Sequence, residues 1–260
     1  MSDRFAENAR APMRVSIMPA GSMLIDHSQL LWNIDPGKPT RQPVYGALIE
    51  HPGGLILLDT GFDIDRLRAT IPSVDPHPDC GGPIASALKL SGVTFEDIDY
   101  VIHTHLHFDH VGADRFIRDA TMFVHKEEMR HAKVPESFER LGYFDQQFDH
   151  PSITHELLEG DTEVLSGIFL LETPGHSAGH YSVLLRGHSG RELLFCGDAA
   201  YAAANLEQTI IPGFHLDPIE CVRSIKRLQK LSEREALTVC FPHDMQAFHT
   251  YRVSPEHYRI

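Results

Sequence analysis

The chain has 260 residues, 42% of them hydrophobic and 23% charged, with a formal net charge of −13 when histidine is neutral. That length and balance suit one large soluble globular domain or two small ones, with ample core, and a single domain over residues 1–260 is expected. The acid excess argues against a nucleic-acid surface, and no apolar run approaches a membrane span.

Residues 1–13 are polar and mixed in charge, without the apolar core of a signal peptide. The four cysteines, at 80, 196, 221 and 240, show no C-x-x-C spacing and read as buried, inert thiols in a reducing compartment. A cytoplasmic protein, monomeric or homodimeric, is expected.

Residues 44–49 and 55–58 are apolar runs on either side of His51-Pro52-Gly53-Gly54, which predicts a hairpin. Further strands are predicted at 100–102, 121–124, 168–171, 181–185, 193–195 and 237–241. Helices are predicted at 83–90, stopping before Ser91-Gly92, at 126–133, and from 218 to about 235. For the last, Asp217 is the cap, Pro218 suits the first helical position, and Glu220 sits where a capping-box acid belongs. Ile219, Val222, Ile225, Leu228 and Leu231 form its expected core stripe. The polar, aperiodic stretch 136–159 reads as a long insertion or lid. Strands before, between and after helices give an α/β domain with sheets inside and helices outside.

His105-Leu106-His107-Phe108-Asp109-His110 places four potential metal ligands in six residues, directly after the strand at 100–102. His105 and His107 are two apart and point the same way on an extended backbone, while Asp109 and His110 follow as the chain turns. Other strand ends repeat the pattern: Thr173-Pro174-Gly175 leads to His176, Cys196-Gly197 to Asp198, Phe241-Pro242 to His243, and residues 55–58 to Asp59-Thr60-Gly61. Five His and two Asp suit a pair of borderline cations such as Zn²⁺, and the two oxygens of Asp198 could bridge them. Asp59 reads as a group that orients a ligand His from behind. His103 and His180 read as core or supporting histidines.

Asp59-Thr60-Gly61, the 104–110 motif, Thr173 to His180, Asp198 and His243 together resemble the metallo-β-lactamase superfamily, in family order over about residues 14–250. The resemblance implies an αββα sandwich with a dinuclear site at one edge of the two sheets. It implies His105, His107 and His176 on the first metal, Asp109, His110 and His243 on the second, and Asp198 bridging. Zinc β-lactamases carry Cys at the bridging position, which disfavours that activity here.

Within the superfamily, Pro19-Ala20-Gly21, Leu24 to Ser28, Phe108, Asp198-Ala199-Ala200-Tyr201 and His243-Asp244 resemble the N-acyl-homoserine lactone hydrolases. Trp32-Asn33, Pro43-Val44-Tyr45, Phe214 to Pro218 and His243-Asp244-Met245 are similar to 4-pyridoxolactonase. Both likenesses imply a carboxylic ester hydrolase that opens a five-membered lactone by attack of a metal-bridging hydroxide. The first likeness gives Tyr201 the contact to the lactone oxygens, and Asp109, near that hydroxide by its place in the motif, is expected to take the proton and return it to the leaving alkoxide. The acyl-homoserine lactone is the expected substrate, a quorum-quenching role. 4-Pyridoxolactone is the alternative, and a glyoxalase II-like thioesterase the next rival. Met23, Trp32, Phe62, Phe144 and Phe214 are candidate pocket residues.

Overall fold

The computed structural model describes residues 12–151, 153–234 and 237–260. Its strands in chain order are β1 (Arg14–Asp26), β2 (Pro39–His51), β3 (Gly54–Leu58), β4 (Tyr100–Ile102), β5 (Thr121–His125), β6 (Thr154–Leu158), β7 (Thr162–Leu165), β8 (Ile168–Glu172), β9 (Tyr181–Arg186), β10 (Glu192–Phe195), β11 (Leu237–Cys240) and β12 (Tyr258–Arg259). The helices are α1 (His27–Leu30), α2 (Ile64–Thr70), α3 (Ile84–Leu90), α4 (Lys126–Lys133), α5 (Asp145–Phe148), α6 (Ala203–Gln208), α7 (Pro218–Ser232) and α8 (Met245–Phe248).

The strands form a seven-stranded sheet, β12-β1-β2-β3-β4-β5-β6, and a five-stranded sheet, β11-β10-β9-β8-β7. Side chains alternate between faces along a strand, so each sheet offers two apolar surfaces. Tyr45, Ala47 and Ile49 of β2 enter the layer between the sheets and meet Ile168, Leu170, Val183 and Leu193. Val44 and Leu48, on the opposite face, pack with Leu67 of α2 and with Ile84 and Leu88 of α3. On the far side, Leu184 and Leu194 of the second sheet pack with Leu206 of α6 and with Ile225 and Leu228 of α7. The result is the expected αββα sandwich.

Strand direction positions the site. β3, β4 and β5 run parallel, so their C-terminal ends share one edge. β8 and β10 both pair antiparallel with β9, and β11 runs parallel to β10, so these three also end together. Every loop that carries a candidate ligand leaves one of these ends.

Three expectations change. β1 was not predicted; its Met-Pro-Ala-Gly-Ser centre has little β-propensity, and its pairing with β2 shifts register between Pro19 and Gly21. The 136–159 stretch is not a free lid: Thr154–Leu158 pairs in parallel with β5, and Tyr143, Phe144 and Phe148 are buried. In α7 the Asp217 cap is present, accepting from Ile219 N and Glu220 N at 2.8 and 3.1 Å, but Ile219 is 61% exposed. The buried face is Cys221, Ser224, Ile225 and Leu228. A strict three-residue spacing drifts around a helix by about 60° per step, so Ile219 leaves the core, while Val222 and Leu231 stay packed against its edge. The predicted Glu235 end of this helix lies outside the described residues.

Candidate metal centre

At the end of β3, Asp59 takes a left-handed backbone (φ 52°), which turns its carboxylate under the next strand end. Its oxygens accept Thr104 N and Thr104 Oγ1, each at 2.8 Å, and face His110 Nδ1 at 2.8 Å. The His105–His110 loop is thereby anchored from below. His110 N donates to His107 O at 2.9 Å, closing the turn that separates the first two histidines from the last two ligands.

The first group comprises His105, His107, His176 and Asp198, all buried. His105 Nε2, His107 Nδ1 and His176 Nε2 form a triangle with sides of 3.0, 2.9 and 3.1 Å. His176 Nδ1 faces the Phe214 carbonyl at 2.9 Å and must donate to it, so Nε2 presents a lone pair to the other rings. Burial and neighbouring imidazoles hold His105 and His107 well below the usual histidine value, and burial pushes His176 down to about 4. These rings are neutral and could offer their lone pairs to a cation.

The second group comprises Asp109, His110, Asp198 and His243. His243 Nδ1 donates to Pro43 O at 3.0 Å, and His110 Nδ1 to Asp59, which leaves both Nε2 lone pairs aimed inward. They face Asp198 Oδ1 at 3.3 and 3.2 Å, while Asp109 Oδ2 lies 3.5 and 3.7 Å from them. Lone pairs facing carboxylate oxygens in a buried site repel unless a cation or protons lie between them. Burial opposes protonation of His110, yet the Asp198, Asp59 and Asp109 carboxylates outweigh it and hold that ring well above the usual value. The same balance raises His243, and the four surrounding imidazoles hold Asp198 well below the usual carboxylate range despite its burial. The field of the site is built for positive charge. His and carboxylate donors in two groups that share Asp198 fit a pair of divalent ions.

Behind the ligands, His180 Nε2 accepts Asp198 N at 2.8 Å and its Nδ1 meets Thr173 Oγ1 at 2.9 Å. A Cβ on Gly197 would lie 2.6 Å from His180 Nε2, and φ there is +52°, so only glycine permits this approach. His103 is fully buried with Nε2 3.0 Å from Asp114 Oδ2, whose other oxygen accepts Thr60 Oγ1 at 2.7 Å. His103 therefore supports the floor and does not join the ligand set.

Glu128, on α4, was missed. It is fully buried, and its two oxygens accept Leu106 N at 3.0 Å and Gly179 N at 2.9 Å. Leu106 separates His105 from His107, and Gly179 lies in the loop after His176, so one carboxylate ties both loops of the first group. Tyr143 donates to it at 3.3 Å and rests its ring 4.5 Å from that of His107. Lys126-Glu127-Glu128 reads as an ordinary acidic first turn. The available signal was the adjacent Met129, which puts Glu128 near the apolar face.

Above the centre opens a cavity of about 470 Å³ lined by Met23, Phe108, Phe138, Leu141, Tyr201 and Phe214, among others. Met23 and Phe214 are where the pocket reading put them. Phe62 and Phe144 belong instead to the core beneath α2 and α3, and Trp32 is 44% exposed with its ring 4.9 Å from His215. The Tyr201 ring stands 4.7 Å from His243 and 5.6 Å from His176. Burial, then the Asp198 and Asp109 carboxylates, push its phenol well above the ordinary value, so it stays a donor.

Residues 39–243 match the Metallo-beta-lactamase superfamily. The chain belongs to this superfamily. It is 31% identical over 252 residues to an N-acyl homoserine lactonase of Bacillus thuringiensis, a match spanning 94% of this chain and 98% of that protein. It is 29% identical over 265 residues to the N-acyl homoserine lactonase AttM of Rhizobium radiobacter, spanning 95% and 98%. Among solved structures of the superfamily, an N-acyl homoserine lactone hydrolase with the product N-hexanoyl-L-homoserine at its catalytic metal centre superposes with a TM-score of 0.84. That match has 30% identity and covers 96% of this chain and all of that one.

Proposed function

We propose that this chain is a dinuclear-metal lactonase that opens the five-membered ring of N-acyl-homoserine lactones, a quorum-quenching reaction. The observation that carries the reading is the pair of buried ligand groups joined at Asp198 beneath an apolar cavity walled by Tyr201. The superfamily's lactonases named above act on this substrate class at near full-length similarity. In this reading His105, His107 and His176 hold one ion, Asp109, His110 and His243 the other, and Asp198 both. Zinc suits so histidine-rich a set, and free thiols at Cys80, Cys196, Cys221 and Cys240 suit a reducing cytoplasm.

Bound divalent ions supply Lewis acidity and bring a water's pKa near neutrality. The chain's own residues do the rest. Phe108, Met23 and Phe214 seat the substrate and exclude bulk water. The Tyr201 phenol donates to a lactone oxygen as negative charge develops there. The Asp109 carboxylate takes the proton released on addition of water and returns it to the departing ring oxygen. The product is an open-chain N-acyl-homoserine.

A hydrolysis panel at fixed zinc content tests the substrate: acyl-homoserine lactones of several chain lengths, 4-pyridoxolactone and a thioester. Turnover of the acyl-homoserine lactones above the other two is expected, and failure on every lactone rejects the proposal. Tyr201→Phe is expected to lower kcat about 10²-fold with metal content unchanged. Unaltered kcat would reassign Tyr201 to packing.

A further inference from the structure

Gln42 lies on β2 opposite Met23 of β1 and lines the catalytic cavity. It is 1% exposed, and its carboxamide oxygen is buried without a hydrogen-bond partner. Both chain neighbours are committed. Arg41 Nη1 donates to Ser22 Oγ at 3.0 Å, and Pro43 O accepts His243 Nδ1 at 3.0 Å. The glutamine is therefore held one residue from the support of a metal-group histidine.

Of the buried polar side chains on this wall, His107, Asp109, Asp198 and Tyr201 belong to the centre. Asp26, nearer the rim, is occupied by Ser28 N, Ser28 Oγ and Gly37 N. Gln42 alone among these has no structural or chemical task. A buried amide oxygen without a partner is destabilising and is uncommon in folded proteins. Binding sites are where such a group is retained, because a ligand completes it.

We infer that Gln42 is a specificity-determining residue whose side-chain amide accepts a hydrogen bond from the exocyclic amide N–H of the substrate. The assignment rests on the lactone reading above. In an N-acyl-homoserine lactone that nitrogen is bonded to the carbon beside the reacting carbonyl. Gln42 lines the same cavity as Asp109 and Asp198 and sits one residue from the carbonyl that supports His243. The rest of the near wall, Met23, Phe108 and Phe214, is apolar or aromatic and offers no side-chain acceptor. Gln42 thus separates amide-bearing lactones from plain ring lactones and esters.

The test compares an N-acyl-homoserine lactone with its α-acyloxy-γ-butyrolactone counterpart, in which an ester oxygen replaces the amide N–H. Both are assayed on zinc-loaded wild type and on Gln42→Met, which keeps length and volume. The amide-to-ester ratio of kcat/KM is expected to fall about tenfold in the variant, the worth of one neutral hydrogen bond. Gln42→Leu gives the same readout if methionine prevents folding. Equal ratios in wild type and the folded variant overturn the assignment while leaving the lactonase reading intact. Wild type that hydrolyses neither lactone overturns both.

Discussion

Asp198→Ala is expected to lose both ions and, with them, hydrolysis on the order of 10³-fold or more. Among the described residues, Asp198 is the one that belongs to both candidate groups. Its Oδ2 lies 3.7 Å from His105 Nε2 and 3.3 Å from His176 Nε2, and its Oδ1 lies 3.2 Å from His110 Nε2 and 3.3 Å from His243 Nε2. Alanine leaves three neutral imidazoles in one group and two imidazoles with Asp109 in the other. It also deletes the charge that most favours a cation beside His110 and His243. His107→Ala differs, since it strips one imidazole from the first group and leaves the second complete. Metal analysis after dialysis separates the two variants. Nearly no bound zinc is expected for Asp198→Ala and about one equivalent for His107→Ala. Two retained ions in folded Asp198→Ala would show that the groups do not share this carboxylate.

What could be read from the chain depended on how local each signal was. The residues that the fold gathers into the two candidate groups were readable because each follows the end of a strand, which points its loop at the sheet edge. The 104–110 motif needed no tertiary information. β1 was hidden because its burial comes from two sheet faces and a neighbour 13 residues long, not from its own alternation. The 136–159 stretch misled for a related reason. Its edge strand, Thr-His-Glu-Leu-Leu, is half polar because one side meets solvent, so composition alone matched a lid. Gln42 and Glu128 were unreadable in a stronger sense. A polar residue in a strand and an acid in a helical first turn are ordinary, and only the partners they have, or lack, after folding distinguish them.

Glu128→Ala is expected to weaken the first ion selectively and to destabilise the metal-free protein by about 3–5 kcal/mol. The carboxylate accepts both Leu106 N and Gly179 N, and all three residues are buried. Each stranded N–H costs about 1–3 kcal/mol, and the Tyr143 hydroxyl loses its acceptor as well. A Cβ on Gly179 would come within 2.4 Å of Glu128 N, so the loop after His176 is pressed against α4 and cannot swing to find other partners cheaply. The damage is directional. Leu106 and Gly179 flank ligands of the first group, whereas His110 and His243 are held by Asp59 and the Pro43 carbonyl, far along the chain from Glu128. Affinity for the first ion should therefore fall about 10–100-fold while the second holds. Glu128→Gln keeps the volume and one acceptor oxygen but turns an NH₂ toward a backbone donor, so it should fall between wild type and alanine. Urea unfolding of the metal-free proteins and stepwise zinc titration read the two effects apart. Equal weakening of both ions would make Glu128 a general packing residue instead of the clamp on one half of the centre.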